Sequence, residues 1–203
     1  VWTRQFGTSE YDLALDLAVD ASGNVYIAGY TAGSLPGQTS SGDRDAFVRK
    51  YDGAGNEVWT RQFGTSYWDP ATGVAVDASG NVYVAGWTGG TLPGQTSSGP
   101  DAFVRKYDGA GNEVWTRQFG SSEYDDARDV AVDASGNIYV TGWTSGALPR
   151  QISSGGGDVF IRKYDASGNE VWTRQFGTFS DDSAYGVAVA GSGNVYVAGG
   201  TLG

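Results

Sequence analysis

A long internal repeat decides what this chain can fold into. The string Val-Trp-Thr-Arg-Gln-Phe-Gly begins at Val1, Val58, Val114 and Val171, at spacings of 57, 56 and 57 residues. A second string, Ala-Val-Asp-Ala-Ser-Gly-Asn, starts at Ala18, Ala75 and Ala131, and returns from Ala188 with Ala190-Gly191 in place of Asp-Ala. A third, Asp-Ala-Phe-Val-Arg-Lys-Tyr-Asp, covers Asp45–Asp52 and Asp101–Asp108, and recurs with two changes over Asp158–Asp165. Residues 1–203 are therefore one repeat domain, with units beginning near 7, 64, 120 and 177 and residues 1–6 belonging to a preceding unit.

Each unit reads as four short strands. In the second copy, Gly73–Asp77 is small and apolar. Asp77-Ala78-Ser79-Gly80 with Asn81 is turn chemistry, because Asp and Asn bond their own backbone and Gly takes positive φ. Asn81–Trp87 then alternates Val against Tyr, Ala and Trp with the period of two expected of a strand. A Gly-, Ser- and Thr-rich loop, Thr88–Pro100, leads to Asp101–Asp108, the turn Gly109-Ala110-Gly111-Asn112, and Glu113–Phe119. No segment sustains a helical period. Four antiparallel strands repeated at this interval predict an all-β protein, a β-propeller of about four blades. The small first strand suits the crowded axis, and the fourth, with its Arg and Gln, suits the outer rim. Arg105 and Arg117 lie on strand faces with Phe103, Tyr107, Trp115 and Phe119. They either stack on rings of adjacent strands or are solvated rim positions.

The spaced pattern from Asp69 through Trp115, repeated in the other copies, resembles the bacterial β-propeller repeat family known as SBBP. More distantly, Gly-Val-Ala-Val-Asp followed by Gly-Asn-Val-Tyr-Val-Ala-Gly resembles an NHL-type blade. The SBBP resemblance implies a propeller, often seven-bladed, in secreted or surface bacterial proteins, with no established enzymatic activity. An extracellular or cell-surface location is the expectation, supported by an acidic, Gly/Ser/Thr-rich composition.

Composition excludes several function classes. There is no His, Cys or Met. A Ser-His-Asp triad, a Cys nucleophile, a Cys/His zinc site and disulfides are therefore ruled out. Thirteen basic against 23 acidic residues give a net charge of −10, which argues against nucleic acid as a partner. No apolar run approaches the roughly 18 residues of a membrane span. Gly-x-Gly strings fall between strands rather than at helix starts and carry no nucleotide signal. No cofactor is expected.

The strand tally is incomplete. Val1–Phe6 reads as a fourth strand and Asn194–Gly199 as a second strand, giving fifteen where four full blades need sixteen. The chain is expected to be a segment of a longer protein or a processed product, or else to associate with copies of itself. Two chains would make an eight-bladed ring with two three-stranded blades. Open strand edges also permit a head-to-tail array, closed or filamentous.

Loops joining strand four to strand one, and strand two to strand three, share one propeller face. They carry most of the variation between copies. Tyr11, Tyr67, Trp68, Tyr124 and Phe179 stand there beside carboxylates, and Tyr30, Trp87 and Trp143 end the equivalent second strands. These aromatics are candidate binding residues, able to stack on a sugar ring. Asp12, Asp69, Asp125 and Asp182 are expected to accept backbone N–H bonds within each loop. Asp20-x-Ser22-x-Asn24 has calcium-like spacing but lacks the sixth-position Gly and the twelfth-position Glu, so it reads as a side-chain-capped turn. The Asp-Asp pairs, Asp125/Asp126 and Asp181/Asp182, are weak metal candidates, poor in ligands. No copy carries a unique acid with an evident partner, so catalysis is not expected. The leading expectation is a non-enzymatic structural or assembly module. A carbohydrate- or protein-binding propeller is the alternative, and a fragment of a larger catalytic propeller the second.

Overall fold

The computed structural model describes residues 1–203 and contains fourteen strands and no helix. The first blade is β1 (Asp12–Val19), β2 (Val25–Thr31), β3 (Asp45–Tyr51) and β4 (Glu57–Phe63). The second is β5 (Ala71–Val76), β6 (Val82–Thr88), β7 (Asp101–Tyr107) and β8 (Glu113–Phe119). The third is β9 (Asp125–Val132), β10 (Ile138–Thr144), β11 (Asp158–Tyr164) and β12 (Glu170–Phe176). A hairpin, β13 (Asp182–Val189) and β14 (Val195–Thr201), begins a fourth. Within each blade, neighbours in sequence pair antiparallel, and the blades' first strands pack against one another. This is an incomplete β-propeller.

Turn chemistry sets the hairpins. Asp77 Oδ1 accepts the backbone N–H groups of Ser79 and Asn81, each at 2.9 Å, and its Oδ2 accepts from Asn81 Nδ2 and the Tyr83 hydroxyl. Gly80 closes the turn at φ +80°, which a side chain disfavours. Asp20 and Asp133 repeat the set, so these carboxylates cap turns rather than hold calcium. Ala190 cannot; there only the backbone bonds remain, Ala190 N to Asn194 O at 2.9 Å and Gly193 N to Ala190 O at 2.8 Å. A bulge disrupts each first strand at the same place. Opposite it sits Gly29, Gly86, Gly142 or Gly199, where a Cβ would collide with a first-strand or preceding-residue carbonyl. That close approach explains the Gly in every second strand.

The core lies between blades. Tyr26, Val48 and Trp59 of the first meet Val74, Val84, Phe103 and Tyr107 of the second. Tyr83, Val104 and Trp115 repeat this against Val130, Val140, Phe160 and Tyr164 of the third. The third-strand arginines are not solvated: Arg49, Arg105 and Arg162 are buried. They stack 4.0, 3.9 and 4.1 Å from the ring centres of Phe6, Phe63 and Phe119 of the preceding unit. The rim glutamines also turn inward. Gln118 Oε1 accepts from Leu92 N at 2.9 Å, and its Nε2 donates to Gly90 O at 2.9 Å and Asp101 Oδ2 at 3.0 Å, pinning the long loop.

Val1–Phe6 departs from expectation. It joins no ladder, because no third strand lies beside it, and the count is fourteen rather than fifteen. Its side chains nonetheless dock as a fourth strand's do. Trp2 Nε1 donates to Gly53 O at 3.2 Å and Arg4 Nε to Gly55 O at 2.7 Å. Trp59 and Arg61 make the same bonds to Gly109 and Gly111 at 3.2 and 2.6 Å.

Candidate aromatic loop face

The loop before each first strand is held by its carboxylate. Thr65 N donates to Asp69 Oδ2 at 2.6 Å, Thr8 N to Asp12 Oδ2 at 2.6 Å, Ser121 N to Asp125 Oδ2 at 2.6 Å and Thr178 N to Asp182 Oδ2 at 2.5 Å. The residue just before that Asp is thereby presented at the same place in each blade. It is Tyr11, Trp68, Tyr124 and, in the fourth unit, Asp181. The second strand delivers Tyr30, Trp87, Trp143 and Gly200.

Six of the eight candidate aromatics form one continuous ladder across three blades. Tyr11 stacks on Tyr30 at 5.9 Å between ring centres, and Tyr30 meets Trp68 edge-on at 5.8 Å. Trp68 meets Trp87 at 5.1 Å, Trp87 meets Tyr124 at 5.0 Å, and Tyr124 stacks on Trp143 at 5.2 Å. Offset and edge-on pairs at such distances are favourable. Asp181 and Gly200 end the ladder. Tyr67 and Phe179 lie outside it because they occupy earlier loop positions, and both are exposed. Tyr67 rests against Gly89 and Gly90.

Of two further participants, Arg44 was not among the sequence candidates and Asp126 was named there only as a weak metal ligand. Arg44 places its guanidinium carbon 5.9, 5.6 and 4.9 Å from the rings of Tyr11, Tyr30 and Trp68. Asp126, only 1% exposed, pairs with Arg128, Nη2 to Oδ2 at 2.8 Å, while its Oδ1 has no partner. Burial pushes its carboxyl up to about 7; Arg128 pulls the other way, as does Trp143, which approaches without closing a well-formed hydrogen bond. Both residues break the repeat. Arg44 stands where the other blades have Pro100 and Gly157, and Asp126 where they have Leu13, Pro70 and Ser183. That asymmetry was the available signal.

The Asp-Asp pairs do not converge as metal sites. Asp125 is occupied by Ser121 and Asp126 by Arg128. Asp181 Oδ1 accepts from Gly157 N at 2.8 Å, and Asp182 is held by Thr178. Burial raises the Asp69 and Asp125 carboxyls, opposed by their hydrogen bonds.

The SBBP β-propeller repeat matches this chain over residues 1–36, 58–93, 114–149 and 171–203. Regulatory protein FlaEY of Caulobacter vibrioides (strain ATCC 19089 / CIP 103742 / CB 15) is 33% identical over 196 residues, covering 85% of this chain and 20% of that protein. An uncharacterized WD repeat-containing protein of Acanthamoeba polyphaga mimivirus is 22% identical over 232 residues, covering 89% and 17%. The chain thus spans a fifth or less of these curated relatives. The crystal structure of a protein of unknown function from Bacteroides caccae shares the fold, with a TM-score of 0.53 at 13% identity, over 92% of this chain and 53% of that one. With four matches along its length, the chain belongs to the SBBP β-propeller repeat family.

Proposed function

We propose that this chain is a non-enzymatic assembly module, pairing head to tail with a second copy through its two end faces to make a ring. One observation carries the reading: the end faces expose the residues that bury between internal blades. Tyr196 is 59% exposed, whereas its counterparts Tyr26, Tyr83 and Tyr139 are at most 2% exposed. At the other end Leu17 is 62% exposed, against 5% and 4% for Val74 and Val130. One face is a blade's back and the other a blade's front, so they are complementary rather than self-complementary, the geometry of a heterologous contact.

The junction blade would hold β13, β14 and the Val1–Phe6 segment of the second copy, one strand short of a full blade. Association of the 203-residue chain should depend on concentration.

Two half-blocked variants test this. Leu17→Asp disables the front face and Tyr196→Asp the back. Each alone should be monomeric at 21.2 kDa, and their mixture should form a heterodimer through the remaining intact pair. A mixture that stays monomeric at concentrations where the wild type associates would sink the head-to-tail arrangement. The repeat family, the lack of His and Cys, and the name of one relative as a regulatory protein support the non-enzymatic half of the proposal.

A further inference from the structure

The loop face repeats one set of three aromatic positions at two junctions, the rings lying closer together at the second, and supplies an arginine from the residue before the third strand only at the first. At the junction of the first two blades, the residue before β3 is Arg44, bridged to Trp68, with its carbonyl accepting from Asp69 N at 2.7 Å. Its guanidinium lies over three rings, Tyr11, Tyr30 and Trp68. At the next junction the same backbone position, accepting from Asp125 N at 2.9 Å, belongs to Pro100. The three rings are present again as Trp68, Trp87 and Tyr124. No guanidinium of the chain lies over Trp87 or Tyr124, while Trp68 is shared with Arg44 of the first junction. Trp68 is partly exposed, and neither Trp87 nor Tyr124 is fully buried.

A second observation points the same way. Asp126 follows Tyr124 by two residues and pairs in register with Trp143. It is buried, and its Oδ1 has no partner beyond the Arg128 bond made by the other oxygen. This carboxylate occurs only in the third blade, two residues beyond Tyr124.

We propose that Trp68, Trp87 and Tyr124, with Asp126 beside Tyr124, bind a guanidinium cation, supplied by an arginine side chain of a partner or by free arginine. The rings offer the negative faces of their quadrupoles, which attract a weakly hydrated planar cation more than an ammonium. The net charge of −10 adds long-range attraction. Arg44 shows on the same molecule that a guanidinium packs over rings at these aligned positions. At the third junction Asp181 and Gly157 replace a ring and the arginine, so a single vacant three-ring site remains.

Tryptophan fluorescence of the whole chain, titrated with N-acetyl-arginine amide, tests the site. An arginine-containing tripeptide in a parallel arm separates a peptide source from the free amino acid. Saturable quenching at one site per chain is expected, weaker for the lysine analogue. Trp87→Leu should weaken binding roughly tenfold, by loss of one ring face. Pro100→Arg should abolish it by filling the site, and Arg44→Ala should raise the stoichiometry from one to two. The Arg44→Ala gain is a readout that unfolding cannot mimic. Absence of saturation in the wild type, quenching untouched by Pro100→Arg, or titration of the same signal by a saccharide but not by guanidinium would each overturn the proposal.

Discussion

Phe119 and Phe176 end identical Glu-Val-Trp-Thr-Arg-Gln-Phe segments, so changing each to Ala alters the same atoms in the same local sequence. Their surroundings differ. Phe119 is 8% exposed, meets Phe160 edge-on at 5.5 Å and carries Arg162 over its face at 4.1 Å. Phe176 is 52% exposed and forms no comparable ring pair or cation contact. Truncating a well-buried Phe costs about 3–5 kcal/mol from lost transfer energy and the cavity left behind. At this half-exposed position, on the wall of an open cleft, the cost falls to about 1 kcal/mol. The expected difference of about 2–4 kcal/mol corresponds to roughly 4–16 °C in melting temperature for a chain of this size. Repeat arrays need not unfold in one step. Thermal melts in dilute solution should therefore be paired with hydrogen exchange on β11 and β12. Equal destabilisation by the two changes, in solutions dilute enough to hold monomers, would refute the claim that stability resides between blades rather than within them.

Other expectations follow from particular contacts. Asp126→Asn should flatten the pH dependence of stability: the folded-state carboxyl titrates near 7, above its ordinary value of 3.8. Wild-type stability should thus fall as pH rises from about 4 to about 7 and level off above, a slope that denaturant titrations of the variant should lack. Ala190→Asp should restore the side-chain cap missing from the last turn and stabilise the β13–β14 hairpin by about 1 kcal/mol, read as slower hydrogen exchange there. Gln118→Ala should free the loop at 88–100 and expose buried Leu92, costing about 2 kcal/mol and opening a protease-sensitive site between β6 and β7.

The fold was legible because identical strings recur at a fixed spacing, and because alternation and turn residues agree within each unit. Glu113–Phe119 was placed to the residue, and the capped turns at Asp20, Asp77 and Asp133 formed as their chemistry required. Val1–Phe6 was misread as a strand because side-chain pattern reports propensity, whereas a ladder needs a neighbour. Its docking through Trp2, Arg4 and Phe6 was nonetheless inherent in the repeat. Stacking of the third-strand arginines on rings was one of the two expected readings, whereas the inward glutamines were hidden for a different reason. Polar residues at rim positions suggest solvent, and only the long loop and the next blade, folded over them, supply the partners. On the loop face, Tyr11, Trp68 and Tyr124 could be aligned with Tyr30, Trp87 and Trp143, but their joining into one ladder is a product of blade-to-blade spacing. Tyr67 and Phe179 share the aromatic character without the position. Arg44 was visible only as a departure from the repeat, and Asp126 only as half of a carboxylate pair; such departures mark where copies differ without saying what the difference touches.

Multi-angle light scattering of the native 203-residue chain across a concentration series, with electron microscopy of the same samples, tests the central claim most directly. The account predicts a concentration-dependent shift from 21.2 kDa toward twice that mass, and closed rings in projection. A particle that remains at 21.2 kDa at every concentration, with Tyr196 and Leu17 still open to solvent, would contradict it.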